Sequence, residues 1–352
     1  MSQYKIIKNR CLTAFIVSIG IACQSAAYAM PILGSIQVNS SLTAQIDVNS
    51  TTNRVYLAGG YAVQGLQIAD FSSVSSPTLT NVSGPAGGVA VDAANNLFFS
   101  TNGYGSRVLT YSGVTNGLLQ NAPIAGYGGV LDFNTGSGML YGTAQCGANN
   151  DVVFKYNPAT NAIVAQTGTA GVAIDLTVNS ATGNVYINNS TGLHSYNANL
   201  APISNGALVG NIRAANNVTN RLYSLIGNDI RVFDGTSYAL IANLAGAGGY
   251  NIRVDSASNV FYVSSNTSNV IRAYDGSTNL LIDSLALPAV TGLGDITTDG
   301  KGRVYVVGYS GGTATLFALG TAKVPEPATL LLMGLGLAGL AATRRHPQTI
   351  KK

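Results

Sequence analysis

The chain has 352 residues, of which 46% are hydrophobic and only 9% are charged. Three of its 18 Lys and Arg precede residue 11 and four follow residue 343, so 11 remain between Met30 and Pro327 against 14 Asp and Glu. This mildly acidic body has no basic cluster for a nucleic-acid backbone, and its regular apolar–polar alternation excludes intrinsic disorder.

Residues 1–29 have the three parts of a secretory signal peptide. The positive n-region contains Lys5, Lys8 and Arg10. A short apolar segment follows at residues 11–22, and Ala27 and Ala29 form a small-x-small cleavage site before Met30. We therefore expect a helical signal segment that is cleaved after Ala29.

Two alternatives for this end stay open. A retained membrane helix needs a longer apolar segment, and a lipoprotein anchored at Cys23 would have Gly20 where a lipobox prefers Leu. Cleavage before Met30 would leave Cys146 as the one cysteine of the mature chain, so no intramolecular disulfide could form. We expect Cys146 to be buried, because a free cysteine usually behaves as a small hydrophobic side chain.

Residues 30–322 repeat one pattern seven times: an apolar strand, an Asn or Asp turn, and a second strand centred on an aromatic residue. The intervals between these aromatic residues are 37 to 45 residues. The aromatic residues are Tyr56, Phe98, Tyr141, Tyr186, Tyr223, Phe261 and Tyr305. A period near 40 with β-strand chemistry is typical of the four-stranded blades of a β-propeller. A β-helix, whose repeats would be nearer half this length, is the alternative.

Each copy has an Asn or Asp six or seven residues before its aromatic residue, where a short polar side chain can close a turn. These residues are Asn49, Asp92, Asn134, Asn179, Asn216, Asp255 and Asp299. A third strand follows in most copies, as at residues 151–157, and a weaker fourth strand leads to the next copy.

The seventh copy ends with its third strand, TATLFALG at 313–320, while residues 31–40 form a spare strand. We predict an all-β fold, a seven-bladed β-propeller in which the N-terminal strand pairs at the outer edge of the last blade and closes the ring. The segments VYINN and FYVSS resemble YVTN- and NHL-type propeller repeats, a resemblance that implies an architecture rather than an activity.

Residues for catalysis are scarce. Between Met30 and Pro327 there are one Glu, Glu326, one His, His194, and no Trp. Propeller enzymes that resemble gluconolactonases hold a divalent metal with Glu, Asn and Asp, and this body offers no Glu for that role. We expect His194 to be a half-exposed residue of a third strand, and we predict no catalytic residue and no organic cofactor.

Four aspartates fall on the predicted innermost strands, Asp47, Asp132, Asp175 and Asp295. If they point into the channel they could hold Ca²⁺, which prefers carboxylate and carbonyl oxygens. The alternative, which we favour, is that each carboxylate caps backbone amides at a blade edge. Tyrosines near Gly60-Tyr61 and within residues 126–129 could stack on sugar rings at a loop face, although tyrosine also anchors the blades.

Residues 323–352 form a distinct C-terminal segment. A box of Pro325, Glu326 and Pro327 precedes an apolar run at residues 328–342, and Arg344 and Arg345 follow. This order resembles the PEP-CTERM sorting signal, a tail that also carries the label of an ice-binding protein C-terminal domain without implying ice binding. The resemblance implies that an exosortase-type membrane protease recognises the box, removes the tail and passes the protein to the surface.

The apolar run would form roughly 22 Å of helix, which is short for a ~30 Å hydrocarbon core and suits a temporary anchor. A permanent membrane helix is the alternative. We therefore expect a protein that is exported, membrane-anchored until processing, and then located at the cell surface or outside the cell. Its propeller would be a non-catalytic binding scaffold for an exopolysaccharide or another surface protein. The rival hypothesis is a hydrolase or lactonase with a metal site in the central channel.

Overall fold

The computed structural model describes residues 30–40, 44–59, 66–82, 86–102, 105–146, 151–169 and 171–320. The predicted signal peptide with Ala27 and Ala29, the loop tyrosine Tyr61, and the sorting box with its helix and Arg344-Arg345 lie outside these residues. The described part of the chain contains strands and no α-helix. Within that part, therefore, no helix is long and apolar enough to cross a membrane.

The described residues form seven antiparallel sheets of four strands each, which confirms the predicted seven-bladed propeller. Blade 1 contains β2 (Gln45–Asn49), β3 (Arg54–Ala58), β4 (Leu66–Asp70) and β5 (Thr78–Val82). Blade 2 contains β6 (Val89–Asp92), β7 (Leu97–Asn102), β8 (Arg107–Ser112) and β9 (Leu118–Pro123). Blade 3 contains β10 (Tyr127–Asn134), β11 (Met139–Gln145), β12 (Asp151–Asn157) and β13 (Ala162–Gly168). Blade 4 contains β14 (Ala173–Val178), β15 (Val185–Asn189), β16 (Gly192–Tyr196) and β17 (Pro202–Ile203).

Blade 5 contains β18 (Asn211–Asn216), β19 (Arg221–Ile226), β20 (Asp229–Asp234) and β21 (Leu240–Leu244). Blade 6 contains β22 (Asn251–Asp255), β23 (Val260–Ser264), β24 (Val270–Asp275) and β25 (Leu281–Ala286). Blade 7 contains β26 (Gly292–Thr298), β27 (Arg303–Ser310), β28 (Thr313–Gly320) and, from the N-terminal end, β1 (Ile32–Val38). The first strand of each blade contacts the first strand of the next, and β26 contacts β2, so these inner strands surround a central channel.

The N-terminal strand β1 is the outermost strand of blade 7 and pairs antiparallel with β28. Ile36 lies opposite Leu316 and Val38 lies opposite Ala314. The sequence predicts this pairing for the spare strand at residues 31–40. Both ends of the propeller therefore lie in the same sheet, where β1 pairs with what would otherwise be the open edge of β28.

The hydrophobic core lies in the seams between neighbouring blades. All seven predicted aromatic anchors are fully buried. Tyr56 of blade 1 stacks on Phe98 of blade 2 with ring centroids 4.3 Å apart, and Tyr223 of blade 5 packs on Phe261 of blade 6 at 4.6 Å. Such aromatic pairs contribute about 0.5–1.5 kcal/mol beyond the apolar area that they bury. At these two seams, the aromatic residues that mark neighbouring repeats therefore also join the two blades.

The turn after each inner strand has the predicted polar side chain. In blade 5, Asn216 Oδ1 accepts the N–H groups of Val218 and Thr219, both at 3.0 Å. Its Nδ2 donates to Asn259 Oδ1 in blade 6 at 2.8 Å. Asn259 has a φ of 55°, a left-handed conformation that asparagine tolerates better than most residues. The turn residue thus closes its own hairpin and also bonds to the next blade.

Candidate functional site

The inner edge of each blade faces the channel and has no neighbouring strand, so its backbone N–H groups need other partners. Asp47 of β2 supplies two of them. Its Oδ2 accepts the N–H of Val91 in blade 2 at 2.8 Å, and its Oδ1 accepts that of Val48 at 2.8 Å. The carboxylate therefore caps a strand edge and joins blade 1 to blade 2.

Two further predicted aspartates repeat this arrangement. Asp132 accepts the N–H of Val178 in blade 4 at 2.7 Å, and Asp295 accepts that of Ile46 in blade 1 at 2.8 Å. Each also accepts the N–H of the residue that follows it. The three side chains link blade 1 to 2, blade 3 to 4, and blade 7 to 1.

Asp175, the fourth predicted residue, has a different partner. Its Oδ2 forms an ion pair with Arg213 Nη1 of blade 5 at 2.7 Å. Sequence reasoning missed a fifth residue, Gln45, whose Oε1 accepts the N–H groups of Val89 and Leu131 at 3.1 and 3.2 Å. One signal could have found it. Gln45 is a polar residue two positions before Asp47, and this spacing places both side chains on the same face of β2.

Arg253 of β22 lies close enough to all four aspartates to interact with their charges. Its Nε donates to the carbonyl oxygen of Ile296 at 3.0 Å. Burial raises the pKa of Asp47 to about 6 and that of Asp132 to about 7, although the positive charge of Arg253 opposes both shifts. Burial raises the pKa of Asp295 as well. Burial disfavours the Arg253 cation, yet the aspartates together raise its pKa, Asp295 most strongly.

A cavity of about 300 Å³ lies at the end of the channel where the inner strands finish. All seven blades line it, and Asp47, Asp132, Arg253 and Thr297 contribute to its wall. We call this space the axial cavity and the side of the propeller that contains it the lower face. Its volume is at the small end of ligand-binding pockets.

The contacts of the four aspartates favour backbone capping over metal binding. Both carboxylate oxygens of Asp47, Asp132 and Asp295 already accept backbone N–H groups, and Asp175 is paired with Arg213. Among the described residues, no group of three or more His, Cys, Asp or Glu is arranged to hold a metal ion. Binding of Ca²⁺ in the channel stays a prediction.

The inner strands begin at the opposite side of the propeller, the upper face. Large apolar side chains are exposed there in four consecutive blades, with 42% to 59% of their surface accessible. We call this set the upper-face ring, and its members are Tyr127, Ile174, Val209 and Tyr250. Each lies within two residues of the start of its inner strand, so the ring borders the channel mouth. Tyr127 belongs to the Gly-rich segment whose tyrosine could, by its sequence, either stack on sugar rings at a loop face or anchor a blade.

His194 lies on β16, the third strand of blade 4, as predicted. It is half-buried, and its Nε2 lies 3.0 Å from Thr191 Oγ1. The prediction for Cys146 was wrong, because this residue is exposed. It directly follows the last residue of β11, so it lies outside the alternating pattern that would bury it, and its Sγ donates to the carbonyl oxygen of Ala125 at 2.7 Å.

Comparison with known protein families adds information on the C-terminal segment. No curated protein matches the chain significantly. Residues 323–345 match the PEP-CTERM protein-sorting motif, which spans the predicted box and ends at Arg345. This motif is a substrate signal for exosortase processing, so the match implies a secreted protein that is sorted to the cell surface through its C-terminal tail.

Proposed function

We propose that the chain is an exported surface or matrix protein whose propeller binds an exopolysaccharide on its upper face. The observation that supports this function is the upper-face ring, in which Tyr127 and Tyr250 have nearly half of their surface exposed. Tyrosine presents a rigid ring and a polar hydroxyl at low conformational cost. Such side chains can stack on sugar rings and bond to their hydroxyls.

The proposal includes a non-catalytic propeller. In support, the channel carboxylates are occupied by backbone N–H groups, and His194 lies on a third strand, away from the axis. It also includes a cleaved signal peptide, a ring that β1 holds closed, and a hydrophobic tail helix that anchors the chain until an exosortase-type protease acts. We also propose that the seven repeats are of the YVTN or NHL propeller type.

The binding proposal is tested with the exported protein and a Tyr127→Ala/Tyr250→Ala variant on a glycan array and on extracted exopolysaccharide. We expect the wild type to bind, and the double variant to bind about tenfold or more weakly, since two aromatic contacts are lost. A Leu118→Ala/Leu281→Ala variant, changed at two exposed residues on outer strands, should bind as the wild type does. Capture of a surface protein without any glycan would favour a protein partner.

A second candidate function is hydrolysis or lactone opening in the axial cavity. The observation that favours it is the pair of carboxyls with raised pKa, Asp47 and Asp132, on the cavity wall beside Arg253. Perturbed carboxyls of this kind are common in active sites. A hydrolase panel should show turnover that Asp132→Asn abolishes without loss of folding, if this candidate is correct. Melting curves with and without Ca²⁺ test the metal site, and an unchanged Tm argues against it.

A further inference from the structure

The first described residue, Met30, is packed inside the propeller. Its side chain is only 1% exposed and belongs to the hydrophobic cluster between blades 6 and 7. Leu287 of blade 6 and Leu293 of blade 7 are members of the same cluster. The next residue, Pro31, accepts the N–H of Gly320 at 2.9 Å through its carbonyl oxygen. The chain is therefore held at this point by packing and by backbone hydrogen bonding.

The backbone nitrogen of Met30 has an acidic partner. It donates to Oδ2 of Asp283 at 2.6 Å, in a partly buried contact. Asp283 belongs to β25, the outer strand of blade 6, so this bond connects the start of the chain to the blade next to β1. The ion pairs among the described residues are Arg54–Asp70 and Arg213–Asp175, so Asp283 has no Lys or Arg partner there.

We propose that Asp283 is the binding site for the α-ammonium group that signal-peptide cleavage creates at Met30. This inference rests on the export part of the proposed function. Cleavage adds water across the Ala29–Met30 peptide bond. The hydroxyl goes to the carbonyl carbon of Ala29, which becomes a carboxylate, and the nitrogen of Met30 takes the other hydrogen and the released proton.

The consequence is a change of charge at an existing contact. Before cleavage the nitrogen of Met30 is a neutral amide, and after cleavage it is a cation at neutral pH. A charge-assisted hydrogen bond to a carboxylate is roughly twice as strong as a neutral one. The propeller therefore reaches its full stability only after the leader is removed, and only if cleavage leaves Met30 first.

The test uses the full chain with its leader, exported and purified. Intact mass establishes whether the mature protein begins at Met30. A second form has Gly-Ser-Gly inserted between Ala29 and Met30, so that cleavage leaves a neutral amide at Met30. Both forms are made in the wild-type and Asp283→Asn backgrounds. We expect the insertion to lower Tm by about 2–4 °C in the wild type and by less than about 1 °C in Asp283→Asn.

The control background is Asp229→Asn, which removes a carboxylate in blade 5, and there the insertion should lower Tm as in the wild type. A mature chain that begins at another residue overturns both the predicted cleavage site and this inference. A chain that begins at Met30, with an equal insertion effect in the wild type and in Asp283→Asn, overturns the Asp283 site alone. Export and sorting would stand in that case.

Discussion

At the scale of single residues, the inner-strand aspartates balance two effects. Their oxygens satisfy backbone N–H groups that would otherwise be open at the blade edge, and leaving such groups unpaired costs about 1–3 kcal/mol each. Burial, however, disfavours the negative charge that makes a carboxylate a good acceptor. Burial raises the pKa of three such carboxylates despite the nearby Arg253 cation, so they bind protons more readily than exposed aspartates do.

Asp132 should therefore make stability depend on pH. Burial raises the pKa of its carboxyl from 3.8, the ordinary value expected when unfolded, to about 7 when folded. The stability from this bound proton is fully present below pH 3.8 and is lost as the pH rises through 7. Between pH 5 and pH 8 the loss is on the order of 2 kcal/mol. Urea unfolding measures the free energy of unfolding at both pH values. From pH 5 to pH 8, the stability of Asp132→Asn relative to the wild type should rise by that amount.

The control for this prediction is Asp234→Asn. The backbone N–H of Ser237 lowers the pKa of Asp234, so both folded and unfolded states are ionised between pH 5 and pH 8. Its effect on the free energy of unfolding should be the same at the two pH values. An Asp132→Asn effect that is also independent of pH would contradict the raised pKa.

At the scale of elements, β1 covers the edge of β28. Deleting residues 31–40 removes this strand, exposes apolar residues of blade 7 such as Leu316, and leaves a sheet of three strands. We expect the free energy of unfolding to fall by about 3–5 kcal/mol. Chemical unfolding followed by circular dichroism measures this. Wild-type stability in the truncated chain would show that β1 does not hold the ring closed.

A point variant covers the possibility that the truncated chain does not fold. Val38 is buried opposite Ala314, so Val38→Asp places a charge in the cluster between blades 7 and 1. This variant should lose about 2 kcal/mol or more. Ile32→Ala changes an exposed residue of the same strand and should stay within about 0.5 kcal/mol of the wild type.

At the scale of the whole molecule, the propeller and the sorting segment have separable roles. Replacing Pro325, Glu326 and Pro327 with alanine should leave the tail attached, since the box that the protease recognises is gone. We expect a larger intact mass and more protein in the membrane fraction, with the melting temperature of the propeller unchanged. Thr321→Ala, outside the matched motif, is the control and should be processed normally. Unchanged mass and release in the triple variant would contradict exosortase sorting.

The number and order of blades could be read from the sequence because their determinants are local. An aromatic residue such as Tyr223, and a turn residue such as Asn216 seven positions earlier, recur in every copy. They mark hairpins, in which the two paired strands are close together in the chain. The missing fourth strand of the last copy indicated a place for β1. His194 was also placed correctly, because the position of a strand within its blade follows from the repeat.

The contacts between blades were decided by the tertiary structure. Asp47 meets Val91 because neighbouring blades pack side by side, and Met30 meets Asp283 across 253 positions of the chain because β1 joins blade 7, next to blade 6. A local pattern does not encode which strand edge a side chain will face, so Gln45 was overlooked, and a metal site stayed open beside the favoured reading of the channel aspartates as backbone caps. The exposure of Cys146 likewise depends on where β11 ends. Periodicity is a property of neighbouring residues, whereas burial and charge pairing are properties of the closed ring.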